Sequence, residues 1–328
     1  MMRAVEFDTP GAPEVLYVAE VPEPQCGPGE VLIEVAAAGM NYADLLQRRG
    51  TYGLKPGAIE RLGLECSGRI VDVGAEVPGL RVGDEVCALL AGGAYAERVA
   101  VDASLVLPKP RGVDLVGAAA LPEMAATVWS NLVDIGGLRG ARTVLVHGGG
   151  GGIGSGAIQV AKAFGARVIT TCGSEEKAAL CRELGADVVV NYREEDFVDV
   201  VREETGGAGV DLILDNMSAL YLGRNVAACG MDSRIVMIGL QGGKIAEVDL
   251  GEMMEKRMSL HVTSLRDRPL AERARILRGV REDFWPLIEE GRLRPVVDRV
   301  FPIDEAVAAH AHAESGAQRG KVLIRLGE

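Results

Sequence analysis

The eight residues His147-Gly148-Gly149-Gly150-Gly151-Gly152-Ile153-Gly154 restrict the fold of this chain more than any other segment. They follow an apolar β-run at 143–147 and lead into 155–164, a helical stretch closed by Gly165 in the position where glycine ends helices. Within this setting Gly149, Gly151 and Gly154 fit a G-x-G-x-x-G pattern between a buried strand and a helix, the context that gives the pattern meaning. Without Cβ atoms the backbone turns tightly and approaches a pyrophosphate, while the free N–H groups and positive end of the next helix stabilise its charge. Gly149, Gly151, Gly152, Ile153 and Gly154 are therefore candidate cofactor-binding residues. The plainer reading, a glycine-rich turn packed for its own sake, has the second β-run at 167–171 against it, since that run completes a βαβ unit.

Further β-runs at 187–190, 210–215 and 233–239 alternate with amphipathic stretches, as expected of a parallel sheet with crossover helices. The first 120 or so residues read differently, as short strands at 31–36, 67–74, 85–88 and 94–100 broken by glycine and proline. After about Leu265 a charged helix at 269–280 leads to a late strand at 321–326, which we expect to return to the first domain. The expected fold is α/β: a Rossmann doubly wound parallel sheet at 122–265, and a β-rich domain assembled from 1–121 and 266–328.

The chain has 328 residues, 48% apolar and 25% charged, with a formal net charge of −12. A surface of that sign repels polyanions, which argues against nucleic acid or an anionic membrane as partner and favours a small molecule. No apolar run of about 18 residues could span a bilayer and no signal peptide opens the chain, so a cytoplasmic protein is expected. The six cysteines form no CxxC pair and read as buried thiols rather than bridges or metal ligands.

The tip of the second β-run bears on the cofactor, because NAD enzymes place a carboxylate there for the adenosine ribose. Here it reads Thr171-Cys172-Gly173-Ser174-Glu175-Glu176-Lys177. A neutral Gly173-Ser174 pair leaves room for a 2′-phosphate and Lys177 offers it a positive charge, so NADPH is the expected cofactor. The alternative has Ser174 merely capping the helix, Lys177 solvated, and Glu175 or Glu176 serving the ribose.

With these residues in place the chain resembles the zinc-free, zeta-crystallin-like quinone oxidoreductases of the medium-chain dehydrogenase/reductase superfamily, over essentially its whole length. The segments that carry the resemblance are Ala38-Gly39-Met40-Asn41-Tyr42-Ala43-Asp44, Arg48-Arg49-Gly50-Thr51-Tyr52, Gly63-Leu64-Glu65-Cys66-Ser67-Gly68, Val82-Gly83-Asp84-Glu85-Val86, Ala119-Ala120-Leu121-Pro122, the glycine run, and Asn191-Tyr192-Arg193. The resemblance implies that the β-rich domain is GroES-like and that the protein is a homodimer. The zinc alcohol dehydrogenases of the superfamily carry a cysteine near position 39 and a His-Glu pair near 64. Gly39 and Leu64 stand there instead, with only Glu65 kept, and the four histidines read as surface or structural, so no metal is expected.

Without a Lewis acid to stabilise an alkoxide, a quinone or activated enone is the better hydride acceptor, because its product anion is delocalised. The resemblance thus implies an NADPH-dependent quinone oxidoreductase that positions two rings in a cleft between domains, with no nucleophile and no strong general base. Its rivals are an enoyl or alkenal double-bond reductase and a low-turnover cofactor-binding or RNA-binding relative. By the same resemblance Asn41 and Tyr52, with Tyr42 adjacent, position the substrate, Asn41 also lying beside the nicotinamide ribose; packing aromatics and a satisfied turn are the alternative. Thr127 lies near the nicotinamide end or simply packs in a helix. Tyr192 joins Gly173, Ser174 and Lys177 at the 2′-phosphate. Asn216, Gly239 and Leu240 follow strands at the end where open α/β sheets bind ligands. Ser264 and Leu265 contact the nicotinamide amide, and Gln318 reaches the cofactor from the C-terminal segment.

Overall fold

A computed structural model describes residues 1–52 and 59–327. Part of the loop after Tyr52, namely 53–58, lies outside the described residues. The chain divides into two compact units, Met1–Met124 with Pro269–Glu328, and Ala125–Arg268.

In the first unit, β1 (Met2–Glu6) and β2 (Tyr17–Val21) form an antiparallel pair. The longest strand, β3 (Glu30–Gly39), is followed by α1 (Tyr42–Arg48), β4 (Glu65–Val73), β5 (Glu85–Leu89), β6 (Arg98–Asp102) and β7 (Val106–Pro108). The expected strand at 94–100 begins only at Arg98, and before it Ala96 makes a single antiparallel bridge to Ala4.

A helix α2 (Pro122–Val128) runs on into a π-helical stretch, Trp129–Ile135, and the second unit's sheet begins. Its strands are β8 (Thr143–Val146), β9 (Arg167–Cys172), β10 (Val188–Asn191), β11 (Val210–Asp215), β12 (Cys229–Met237) and β13 (Ser259–Val262). They lie in the order β10-β9-β8-β11-β12-β13, all parallel. That is the doubly wound arrangement, and its order reverses between β8 and β11, which places a ligand crevice at the carboxyl ends of those two strands. The crossover helices include α3 (Gly152–Ala163), α4 (Glu175–Glu183), α5 (Phe197–Glu204) and α6 (Leu222–Ala228), with α7 (Leu250–Glu255) before β13. Covered on both faces, the central strands read as unbroken apolar runs: Leu145, Ile169, Ile213 and Ile235 meet Phe197, Tyr221 and Val226 in one buried cluster. Helix α3 starts at Gly152, three residues before the expected Ser155, because the last glycines of the run already form its first turn.

The chain then re-enters the first unit through α8 (Leu270–Asp283), α9 (Trp285–Glu289), β14 (Val297–Pro302), α10 (Ala306–Glu314) and β15 (Lys321–Arg325). Strand β15 pairs with β3 in the sheet β14-β15-β3-β4-β5-β7. This brings the last strand beside Gly39 and Asn41. Among the described residues no helix is long and apolar enough to cross a membrane.

Candidate functional site

In the second unit the glycine run is shaped by what crowds it. Gly148 takes φ +72°, and Gly151 closes the turn by donating its N–H to Gly148 O at 3.0 Å. A Cβ at Gly154 would lie 2.2 Å from Gly148 O and 2.7 Å from Gly149 Cα, so the first helical turn can pack on the loop only without one. A Cβ at Gly149 would strike Thr170 Oγ1 at 2.2 Å and Cys181 Sγ at 2.9 Å. At Gly151, by contrast, it would meet only Gly148 O at 3.4 Å, which leaves that residue's face open. Gly152 and Ile153 form the first turn of α3, whose leading N–H groups have no acceptor within the helix and point along its axis.

The residues expected at the 2′-phosphate do come together. A Cβ at Gly173 would sit 2.3 Å from the Tyr192 hydroxyl, so Tyr192 lies across the neutral tip of β9. The aliphatic stem of Lys177 packs on Gly150, within 2.8 Å of the place a Cβ would take. Ser174 is the N-cap of α4, its Oγ accepting from Lys177 N–H at 3.4 Å, as the capping alternative had it. Of the two neighbouring carboxylates, Glu175 is paired with Arg182 at 2.6 Å, and both are exposed. A hydrogen bond from the Cys181 thiol pulls the pKa of Cys172 down to about 7 just beneath this tip.

At the carboxyl end of β11, Asn216 Nδ2 lies 2.9 Å from where a Gly148 Cβ would stand, and Asn216 Oδ1 is buried without a hydrogen-bond partner. Gly239 packs on the backbone of Asn216 and accepts from the Ser218 hydroxyl, while Leu240 is exposed beside it. Thr127 is buried and its carbonyl accepts from Asn131 Nδ2 at 2.8 Å; Asn131 Oδ1 in turn accepts from Thr263 Oγ1 at 2.5 Å. Thr127 is thereby tied to the segment carrying Ser264, whose hydroxyl donates to Asp267, and the buried Leu265.

The first unit holds the other expected residues. Asn41 is the N-cap of α1 and donates its N–H to Asp44 Oδ2 at 2.8 Å. Its side chain is clamped: Nδ2 donates to Glu65 Oε1 at 3.0 Å, and Oδ1 accepts from Lys321 Nζ at 2.7 Å. Lys321 also forms an ion pair with Glu65, whose other oxygen accepts from Glu123 N–H at 2.8 Å. Glu65 is fully enclosed and Lys321 nearly so. Sequence reasoning noted Glu65 as the one residue kept from the metal pattern but missed Lys321, which reads as the first residue of an ordinary strand. Gly39 shows the space this pair occupies, since a Cβ there would lie 2.4 Å from Glu65 Oε1 and 2.7 Å from Ala119 O. Tyr42 is exposed on the first turn of α1, and Tyr52 follows that helix with its N–H on Leu46 O. Gln318 precedes β15, its Oε1 buried without a partner.

Comparisons with known proteins bear on both units. Residues 27–111 match the alcohol dehydrogenase GroES-like domain family, and residues 152–277 the zinc-binding dehydrogenase family. The chain is 33% identical to a quinone oxidoreductase of Pseudomonas aeruginosa, over 97% of each protein. It is 32% identical to a mycocerosic acid synthase-like polyketide synthase of Mycobacterium tuberculosis over 98% of its own length, but spans only 15% of that protein. The crystal structure of Escherichia coli quinone oxidoreductase complexed with NADPH superposes with a TM-score of 0.86 at 30% identity, covering 98% of this chain and 99% of that one.

Proposed function

Because the chain belongs to the quinone oxidoreductase family of the medium-chain dehydrogenase/reductase superfamily, we propose that it is an NADPH-dependent quinone oxidoreductase. The observation that carries the reaction class is the Asn41–Glu65–Lys321 cluster. In it a carboxylate, its ammonium counter-charge and an amide fill the place where a cysteine at position 39 would reach. Glu65 is committed to three partners and Leu64 offers no lone pair, so this set does not suit a zinc ion, which needs several nitrogen or thiolate ligands. A reaction without a Lewis acid favours an acceptor whose reduced anion is delocalised, and a quinone is one.

The glycine run fits a dinucleotide on steric grounds, and the unpartnered Asn216 Oδ1 is a buried acceptor beside it. In this reading the first-turn N–H groups at Gly152 and Ile153 hold the pyrophosphate, with the α3 terminus adding its positive end. Lys177, Tyr192 and Ser174 at the neutral Gly173 tip hold the 2′-phosphate. Thr127, Ser264 and Leu265 serve the nicotinamide end, Gln318 offers a further acceptor to the cofactor, and Asn41, Tyr42 and Tyr52 orient the quinone. Bound NADPH supplies the hydride; the protein supplies position and excludes water.

The same reading makes the protein a cytoplasmic homodimer. Its free, mostly buried cysteines suit a reducing compartment. Strand β13 ends the second unit's sheet with one edge unpaired among the described residues, carrying Leu260 and the 67% exposed Val262. An apolar edge of this kind calls for a partner, and a second copy supplies one symmetrically. A second reading, reduction of an enoyl or alkenal double bond, has the match within a polyketide synthase on its side. Steady-state oxidation of NADPH and NADH against a panel of quinones and enones, with a chelator present, tests both. We expect NADPH and quinones to be preferred and the chelator to have no effect. Equal use of NADH would refute the 2′-phosphate assignment, faster enone turnover would favour the second reading, and chelator sensitivity would refute the metal-free one.

A further inference from the structure

His147 directly follows β8, its imidazole buried between the rings of Phe197 and Tyr221 at centroid distances of 4.8 and 4.9 Å. Both ring nitrogens are engaged. Nε2 lies 2.8 Å from Asn225 Oδ1, and Nδ1 lies 3.0 Å from Thr171 Oγ1. Asn225 Nδ2 donates to Asp215 Oδ2 at 3.1 Å, which turns the Asn225 oxygen toward the imidazole. Nε2 must therefore carry the hydrogen. Burial pushes the pKa of His147 below its ordinary value, against the pull of Asp215, and the ring is neutral with Nδ1 bare. Nδ1 then accepts from the Thr171 hydroxyl, whose oxygen accepts in turn from Gly148 N–H at 3.3 Å.

The relay thus has one direction, set by the Asp215 carboxylate, and its far end is the first glycine of the run. At the near end Asp215 Oδ1 accepts from the N–H groups of Met217 at 2.7 Å and Ser218 at 3.1 Å. Ser218, held at φ +56°, reaches the carbonyl of Gly239. The imidazole thus ties the loop after β8 to Asp215, which with Ser218 already holds the loops after β11 and β12 together. Between them stands Asn216, next to Gly148 and with its Oδ1 unpartnered.

We propose that this relay is a positioning device for the dinucleotide: His147 locks the three loops in one register, so that the glycine run and Asn216 Oδ1 address the same ligand. In this role His147, Thr171 and Asn225 act through Gly148 and the 215–218 turn. The proposal deepens the cofactor reading above and rests on it. A relay with fixed polarity admits a single arrangement of its loops, which lowers the ordering that binding must impose.

Thr171→Val keeps the shape of a buried side chain and removes both links, whereas Thr171→Ser keeps the hydroxyl. In fluorescence titrations with NADPH, the valine variant should bind about tenfold more weakly, the scale of one buried hydrogen bond, and serine should return affinity to within about twofold of wild type. In steady-state assays the KM for NADPH should rise with the valine change while the KM for quinone stays put. Should the valine variant not fold, Asn225→Ser cuts the relay at its other end, and the same weakening is expected. Nitrogen-15 NMR of wild-type imidazoles should show His147 protonated at Nε2 and bare at Nδ1, with both resonances moving as NADPH is added. Wild-type affinity in the valine variant, serine as impaired as valine, or the opposite tautomer would overturn the relay. Absence of NADPH binding in wild type as well would instead bring down the cofactor reading, and the proposal with it.

Discussion

Replacing Lys321 by methionine tests the enclosed cluster of the first unit most directly. Methionine fills a similar volume but removes the ammonium, leaving Glu65 fully buried with two hydrogen bonds, from Asn41 Nδ2 and Glu123 N–H, and no counter-charge. Breaking a buried pair from one side costs about 3–5 kcal/mol, because the surviving charge keeps its full desolvation penalty. Against a domain stability of roughly 5–15 kcal/mol, that is about a fifth of the total at the least. Adding Glu65→Gln removes the stranded charge, so the double variant should recover to within about 1–2 kcal/mol of the parent, a strongly non-additive cycle. Urea unfolding followed through Trp285, which is buried in the first unit, in a Trp129→Phe background reports on that unit alone. The loss should persist at high salt, since screening acts weakly on an enclosed pair. A Lys321→Met protein within about 0.5 kcal/mol of its parent, or single changes that simply add, would refute the reasoning.

The glycine run offers an internal control. Gly154→Ala must drive a Cβ against backbone atoms at 2.2 and 2.7 Å and should destabilise the protein by about 1–3 kcal/mol as well as abolish NADPH binding. Gly151→Ala meets only Gly148 O at 3.4 Å, so stability should stay within about 1 kcal/mol. A loss of about tenfold or more in NADPH affinity by calorimetry would then report the phosphate's approach, and unchanged affinity would argue against the cradle. Acid sensitivity should arise at His310, whose pKa burial and the Arg48 charge depress to about 3. An unfolded histidine titrates near pH 6.5, so between about 6.5 and 3 only the unfolded chain takes the proton. Stability is complete above that window and falls by about 1.4 kcal/mol per pH unit within it, roughly 2 kcal/mol by pH 5. His147, shifted the same way, adds to the fall. His310→Gln should flatten the pH dependence of thermal melting; parallel profiles would contradict this. Val262→Lys on the edge of β13 should yield a monomer by light scattering, and an unchanged dimer would move the interface elsewhere.

The second unit was legible because its signals are local. An apolar run, a glycine cluster and a helix in succession state a βαβ crossover, and the strand at Val210–Asp215 was bounded to the residue. Strand β13 escaped notice because Ser259–Val262 sits at the sheet's edge, mostly exposed, without the continuous apolar character of β8. The π-helical turn Trp129–Ile135 has no sequence signature short of its packing. The site divides the same way. Gly173, Ser174 and Lys177 were singled out from their place at the tip of the second β-run and Tyr192 from the resemblance alone, and the chain brings Tyr192 against Gly173. Lys321 was not, because its partners Asn41 and Glu65 are brought to it only by the antiparallel pairing of β15 with β3. Nor was the His147 relay, whose members come from β9, β11, α6 and the turn after β8 and carry no motif.

The pair beside Gly39 also constrains how this lineage can change. A thiolate at that position would have to displace Glu65 from Asn41, Lys321 and the Glu123 amide at once, and the freed ammonium would then repel any incoming cation. An exchange at position 39 alone therefore breaks the Glu65 cluster without assembling the several nitrogen or thiolate ligands that zinc needs. Glycine at 39, lysine at 321 and glutamate at 65 hold one another in place, so a metal site built there would need several coordinated replacements in strands far apart along the chain.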